Sequence, residues 1–343
     1  MILVSAGLPG RFAESCERLL GALAAASGAQ GESFNADSLE ALGAALLGRD
    51  ATTALAVTRQ PAADLAAHMK AHCRPFAVAL EPPQACVAAL MQDHGQSFLD
   101  AVRAAANSCA AIFALLDHPG VLVLRQEDGR SPCELAQALA AHYRLCVPPG
   151  QITALATTLA ENRATLSALS PYAPPPEGPQ GLGADRLLPQ LLPGALAPAD
   201  AWLHTGQLQD VTWHRDLFFS GDSPGQPPAP RIDVTGAARC LFYGPYIRLP
   251  PANWSCALLL GCGADAVGLT LAAEIFAGEV LGRAEFTVSE AGFFELEFSF
   301  TLSGDWPVEI RLFTPRAAFE GHIALVQAAL RPLKAVRLPL KAG

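Results

Sequence analysis

Two kinds of hydrophobic spacing divide this chain, and between them they limit what it can fold into. Up to about residue 170, short apolar runs alternate with Ala-rich stretches of helical period. From residue 232 onward, short strand-like runs follow one another with no helical stretch between them. Alternation of strand and helix predicts an α/β domain with a mostly parallel sheet, built as three α/β/α layers. About eight strands spaced 8–12 residues apart predict an all-β sandwich, read here as a jelly roll.

The strand signals of the first half fall at residues 2–4, 53–57, 75–80 and 120–125. Gly120-Val-Leu-Val-Leu-Arg125 is a continuous apolar run, as expected of a strand covered on both faces. In the second half, Phe294-Glu-Leu-Glu-Phe-Ser-Phe-Thr-Leu302 alternates apolar and polar, the mark of an antiparallel strand with one wet face. The expected division is 1–170 for the α/β domain, 171–230 for a connector and 231–343 for the sandwich. Proline crowds residues 174–179, whereas the apolar stretch 187–196 predicts that part of the connector packs.

Charge and cysteine usage narrow the function. A net charge of −9 argues against a nucleic-acid surface, which needs clustered Lys and Arg. The nine cysteines form no CxxC pair, so neither a metal cluster nor a disulfide framework is expected, and a reducing cytoplasm is. No apolar run reads as a membrane span, and no charged leader region precedes the first strand. His68 and His72 stand i, i+4 on one helix without a third metal ligand, so a solvated helix face is the better reading. His214 and Asp216 form a candidate acid–base pair with no nucleophile to serve.

The opening strand leads into a turn with Gly7, Pro9 and Gly10, then into a helix, an arrangement whose first N–H groups can receive an anion. Three stretches here resemble bacterial sulfotransferases. Gly7-Leu8-Pro9 is similar to that family's phosphosulfate loop, and Ser97-Phe-Leu-Asp-Ala-Val-Arg103 to a later helix. Val121-Leu-Val-Leu-Arg-Gln-Glu-Asp128, with the helix after it and Val147-Pro-Pro-Gly150, is similar to the late part of the fold. The resemblance covers about residues 1–170 and implies a P-loop-like α/β domain built for a sulfo-nucleotide donor.

The departures from that pattern imply that the donor is no longer bound. Phe12 stands where a glycine would let backbone approach phosphate, Ala13 lacks a hydroxyl, and Glu14 brings a carboxylate. In the second signature Glu81 replaces an arginine and Ala89 a serine, both grips on the donor's 3′-phosphate. The resemblance therefore implies a pseudoenzyme with no cofactor. Three alternatives stay open: an active transferase using Arg11 and Arg125 in place of the lost contacts, an unrelated α/β fold, and a purely structural subunit. Glu14 and Glu81 also read simply as solvated carboxylates favoured at helix starts.

In the second half, Tyr243-Gly-Pro-Tyr-Ile-Arg-Leu-Pro250 and Glu320-Gly-His-Ile-Ala-Leu325 resemble the non-catalytic sandwich modules of bacterial polysaccharide enzymes, many of which bind carbohydrate. The resemblance implies stacking of sugar rings on aromatic side chains, with Tyr243, Tyr246, Arg248, Asn253, Trp254 and Trp306 as candidates. The expected partners are a glycan or the proteins of surface-polysaccharide synthesis, with self-association left open.

Overall fold

The computed structural model describes residues 2–29, 31–47, 53–72, 75–167, 192–304 and 306–333. Its contacts part the chain into two compact units between Asp185 and Arg186. Residues 171–191 of the expected connector, with its proline-dense stretch, lie outside the described residues.

The first unit runs β1 (Ile2–Gly7), α1 (Arg11–Ala26), β2 (Gly31–Asn35), α2 (Leu39–Leu46), β3 (Thr53–Thr58) and α3 (Ala63–His72). It continues with β4 (Phe76–Leu80), α4 (Pro83–His94), α5 (Phe98–Phe113), β5 (Val121–Arg125), α6 (Pro132–Tyr143) and α7 (Pro149–Ser167). The five strands are all parallel, in the order β2-β3-β1-β4-β5. β1 and β4 are buried over nearly their whole length, in keeping with sequences that are apolar apart from Ser5.

Helices cover both faces of this sheet. On one, Phe12, Cys16, Leu19 and Leu23 of α1 pack with Leu135 and Leu139 of α6 over Leu3, Ala77, Ala79 and Leu124. On the other, Leu42 of α2 and Leu65 and Met69 of α3 meet Val4 and Ala56 around a small apolar void. The buried Tyr143 hydroxyl donates to the Val4 carbonyl at 2.5 Å, tying α6 to the central strand. Helix starts carry the caps their sequences foretell. Ser97 accepts from the Asp100 N–H, and Ser131 with Glu134 forms a reciprocal capping box. α1 has no such cap: Gly10, at its start, has no side chain to offer.

The second unit opens with α8 (Ala197–Thr205) and then holds β6 (Val211–His214), β7 (Phe219–Ser220), β8 (Ile232–Asp233), β9 (Arg239–Tyr243) and β10 (Pro245–Ile247). After these come β11 (Ala252–Cys262), β12 (Thr270–Ala277), β13 (Glu279–Thr287), β14 (Gly292–Leu302), β15 (Val308–Thr314) and β16 (His322–Pro332). Two antiparallel sheets form a sandwich. One is ordered β13-β12-β15-β9-β7 with β10 on β15, and the other β14-β11-β16-β6 with β8 on β16. Residues 192–230, read as connector, belong to this unit, because β6 pairs with β16 and β7 with β9.

The core lies between the sheets. Phe242, Ile275, Ile310 and Leu312 from one meet Trp213, Leu258, Leu260, Leu325 and Leu330 from the other, all buried. Trp254 belongs here too, which corrects its reading as a sugar-stacking residue. It is 0% exposed, packs edge-on against Trp202 of α8 at 6.3 Å, and donates its indole N–H to the Pro250 carbonyl. β11 is a central strand flanked on both sides, so the near-continuous apolar run after Trp254 marks core.

No helix among the described residues is long and apolar enough to cross a membrane. The two tryptophans should respond oppositely to truncation. Trp254→Ala removes a fully buried ring and should lower the free energy of unfolding by about 3–5 kcal/mol. Trp306→Ala, at a position 62% exposed, should cost no more than about 0.5 kcal/mol. Urea midpoints of the two variants measure the difference.

Candidate functional site

The strand order places the natural ligand crevice of the first unit between β1 and β4. The connection from β1 runs toward β2, whereas that from β4 runs the opposite way toward β5. Where such connections diverge, the carboxyl ends of the two strands leave an open crevice, and ligands of open α/β sheets bind there. The β1–α1 turn and residue 81 line this position.

A side chain of the protein fills it. Glu81 follows directly on β4, and its carboxylate accepts from the Ala13 N–H at 3.1 Å and the Phe12 N–H at 3.3 Å. These are first-turn donors of α1, which Gly10 leaves uncapped. Gly10 makes room for this carboxyl: a Cβ there would stand 2.3–2.5 Å from the Glu81 carboxyl atoms, so Glu81 would have to shift. Gly7 is held as tightly, its virtual Cβ 2.7 Å from that of Ala13. Glu81 is 5% exposed, and loss of hydration pushes its carboxyl up to about 7 against the pull of the two N–H groups.

The other residues expected at the donor loop are arranged differently. Glu14, expected beside the anion position, turns to the partly exposed flank of α1, where it pairs with Arg18 at 3.1 Å. One residue beyond Ala13, it has rotated about 100° around the helix, away from the crevice. Arg11 is held in a two-pronged bond to Asp93, at 2.8 and 2.9 Å, and also donates to Gln92. That bond raises the guanidinium's pKa and lowers the Asp93 carboxyl. Pro9 is half-buried in the turn, and Ala89 is buried in α4.

The second unit offers a surface of another kind on the outer side of the β12–β15 sheet. Strand pairing sets Glu274 opposite Arg311 and Phe276 opposite Glu309, with Arg283 of β13 opposite Glu274. Arg311 donates to Glu309 at 2.5 Å and lies 4.0 Å over the Phe276 ring. Arg283 bridges Glu274 at 2.8 Å and Glu285 at 3.0 Å. Three rings continue the face. Phe219 stacks on Tyr243 at 5.6 Å, and Tyr246 meets Tyr243 at 6.1 Å and Phe219 at 6.0 Å.

Tyr246 is fastened into this group. Its hydroxyl donates to Glu309 at 2.9 Å, and burial together with that bond raises its pKa. Its φ of 62° lies in the left-handed region, where a non-glycine residue carries strain of order 1–3 kcal/mol. Such strain persists where surrounding contacts hold it, and it gathers at binding sites. Cys240, nearby on β9, has its thiol pushed up to about 11 by burial and by the Glu309 charge.

Of the six residues expected to meet sugar, Tyr243 and Tyr246 come together on this face. Arg248, just past β10, is half-buried, with its Nη1 shielded from solvent. Asn253 is exposed on β11 of the opposite sheet, where its carbonyl accepts from Thr301 at 2.8 Å. Trp306 is exposed, lying against Gly278 at the β12–β13 turn. Phe219, Glu274, Phe276, Arg283, Glu309 and Arg311 were not foreseen. A signal existed in Val308-Glu-Ile-Arg-Leu-Phe-Thr314, which alternates apolar residues with Glu309, Arg311 and Phe313.

No family model matches the chain, and no curated protein does. Among solved structures it is similar to a CBM36-1 domain of a multidomain xylanase from the hindgut metagenome of Trinervitermes trinervoides. There the identity is 8% and the TM-score 0.25, over 36% of this chain and 98% of that one. A CBM35 from Cellvibrio japonicus matches at 9% identity and a TM-score of 0.25, over 38% and 99%. A CBM61 solved with beta-1,4-galactotriose matches at 9% and 0.22 over 29% of this chain, which spans 66% of that module. Scores this low carry no argument about a ligand.

The buried Glu81 carboxyl should make stability depend on pH. Folded, it keeps its proton up to about pH 7; unfolded, it releases it near its ordinary 4.5. Its contribution is therefore complete below pH 4.5 and is lost as pH rises through 7. The loss comes to about 3 kcal/mol. Glu17, also raised by burial, acts in the same direction. Urea unfolding at pH 5 and pH 8 should show Glu81→Gln losing distinctly less stability across that interval than the unaltered chain.

Proposed function

We propose that this chain is a non-catalytic glycan-binding protein whose second unit carries the binding face. One observation carries the reading: the ring group Phe219–Tyr243–Tyr246 sits beside the Glu309–Arg311 pair on the outer side of the β12–β15 sheet. Sugar rings present C–H faces that stack on aromatic rings, and hydroxyls that exchange hydrogen bonds with carboxylates and guanidiniums. A cluster of three rings edged by two charged groups serves both needs. Tyr246 holds a strained backbone at this position.

The first unit is proposed to be a sulfotransferase-like domain that has given up its donor. The Glu81 carboxylate on the α1 amides supports this, because a bound phosphate would have to displace it. The Arg11–Asp93 bond weighs against an active transferase that relies on Arg11. The proposed setting is the cytoplasmic side of bacterial surface-polysaccharide assembly, with the sandwich holding a glycan.

Two measurements test this. The full chain should show no binding of the sulfo-nucleotide donor or of its bisphosphate product by calorimetry; micromolar binding would end the pseudoenzyme reading. On a glycan array it should bind at least one oligosaccharide weakly, with a dissociation constant on the order of 0.1–1 mM. Tyr246→Ala and Phe219→Ala should each weaken that binding about 5–10-fold, since one stacked ring contributes on the order of 1 kcal/mol. An array with no binder, and a protein captured through the same face, would replace the glycan reading with that of an interaction subunit.

A further inference from the structure

Resting on the glycan reading, we infer that this face selects uncharged sugars and turns away sulfated and uronate-bearing chains. Holding a sulfate or carboxylate calls for arginine or lysine whose charge is not already balanced by a carboxylate of the protein. No lysine occurs anywhere between residues 192 and 333. The face's strands carry three arginines, and each is already engaged with a carboxylate. Arg311 is on Glu309 with its guanidinium flat over Phe276, and Arg283 is shared between Glu274 and Glu285. Arg239 is bonded to Asp222 and to the carbonyls of Asp233 and Thr235. Arg248, the nearest other cation in sequence, has its Nη1 shielded from solvent.

The balance of charge runs the same way. Three carboxylates, Glu274, Glu285 and Glu309, face two guanidiniums, Arg283 and Arg311, leaving one negative charge in excess. They stand on a chain of net charge −9, whose field repels polyanions at a distance. An anionic sugar would have to share or exchange each arginine with the carboxylate already on it, and so bring its own charge beside that carboxylate. A neutral sugar needs no such exchange: its ring rests on the Phe219–Tyr243–Tyr246 cluster while its hydroxyls add to ion pairs that stay intact. The resemblance of the first unit to sulfate-transferring enzymes would suggest the opposite, a sulfated ligand.

The test uses the full chain and calorimetry with neutral hexasaccharides of glucose, mannose, galactose and xylose, with hexagalacturonate, and with dextran against dextran sulfate. The inference expects binding of at least one neutral sugar, changing less than twofold between 50 and 500 mM NaCl. Charged counterparts should bind at least 10-fold more weakly. Tighter binding of a charged sugar, weakened by salt and by Tyr246→Ala, would overturn the inference and leave the glycan reading standing. If no sugar of either kind bound, both would fall. Glu285→Arg supplies an added cation at an exposed position and should raise affinity for dextran sulfate several-fold in a salt-sensitive way. An unchanged affinity, with neutral binding intact, would count against the charge argument.

Discussion

The Glu81 carboxylate meets two physical demands with one group. Helix α1 begins at a glycine with no side chain, so its first-turn N–H groups lack the partner that an N-cap normally provides. The crevice between the ends of β1 and β4 would otherwise be open to water or an anion. Glu81 supplies the missing acceptor and fills the space, and Gly10 and Gly7 stay small to admit it. The cost is a carboxyl removed from water, visible in its raised pKa. The contact ties the first turn of α1 to the end of β4.

The sandwich follows a different rule, that of a sheet with one dry face and one wet one. Its dry faces are apolar and meet in the core. On the wet side of the β12–β15 sheet, polar residues are paired across strands: Arg283 with Glu274 between β13 and β12, and Tyr246 with Glu309 between β10 and β15. Glu274 and Glu309 are 8% and 4% exposed, so their charges would be expensive without these partners. The resulting face is prearranged, its rings and charges held in place by one another.

The division into an α/β part and a β part was legible because hydrophobic period is a local property. Strand-to-strand geometry is not local, and most of the site depended on it. Glu14 and Glu81 looked alike as carboxylates near helix starts, yet only Glu81 enters the crevice. One is rotated away by helix phase, and the other is aimed inward by the strand it ends. Tyr243 and Tyr246 stood out as neighbours in sequence. Phe276 and Arg311 are separated by 35 positions and meet only through the pairing of β12 with β15. Trp254 misled because a large aromatic beside a Pro-rich stretch reads as a loop residue. Its place on a strand flanked by two others makes it core.

The mutual fit of Gly10 and Glu81 also bears on how this lineage can change. A single substitution at 81 that removes the carboxylate leaves the Phe12 and Ala13 amides without their acceptor. A side chain introduced at 10 collides with the carboxylate that is there. Emptying the crevice therefore calls for changes at both positions, and either one alone is unfavourable. Occupation of the crevice by Glu81 is thus held from two sides at once, by the amides that need its carboxylate and by the glycine that makes room for it.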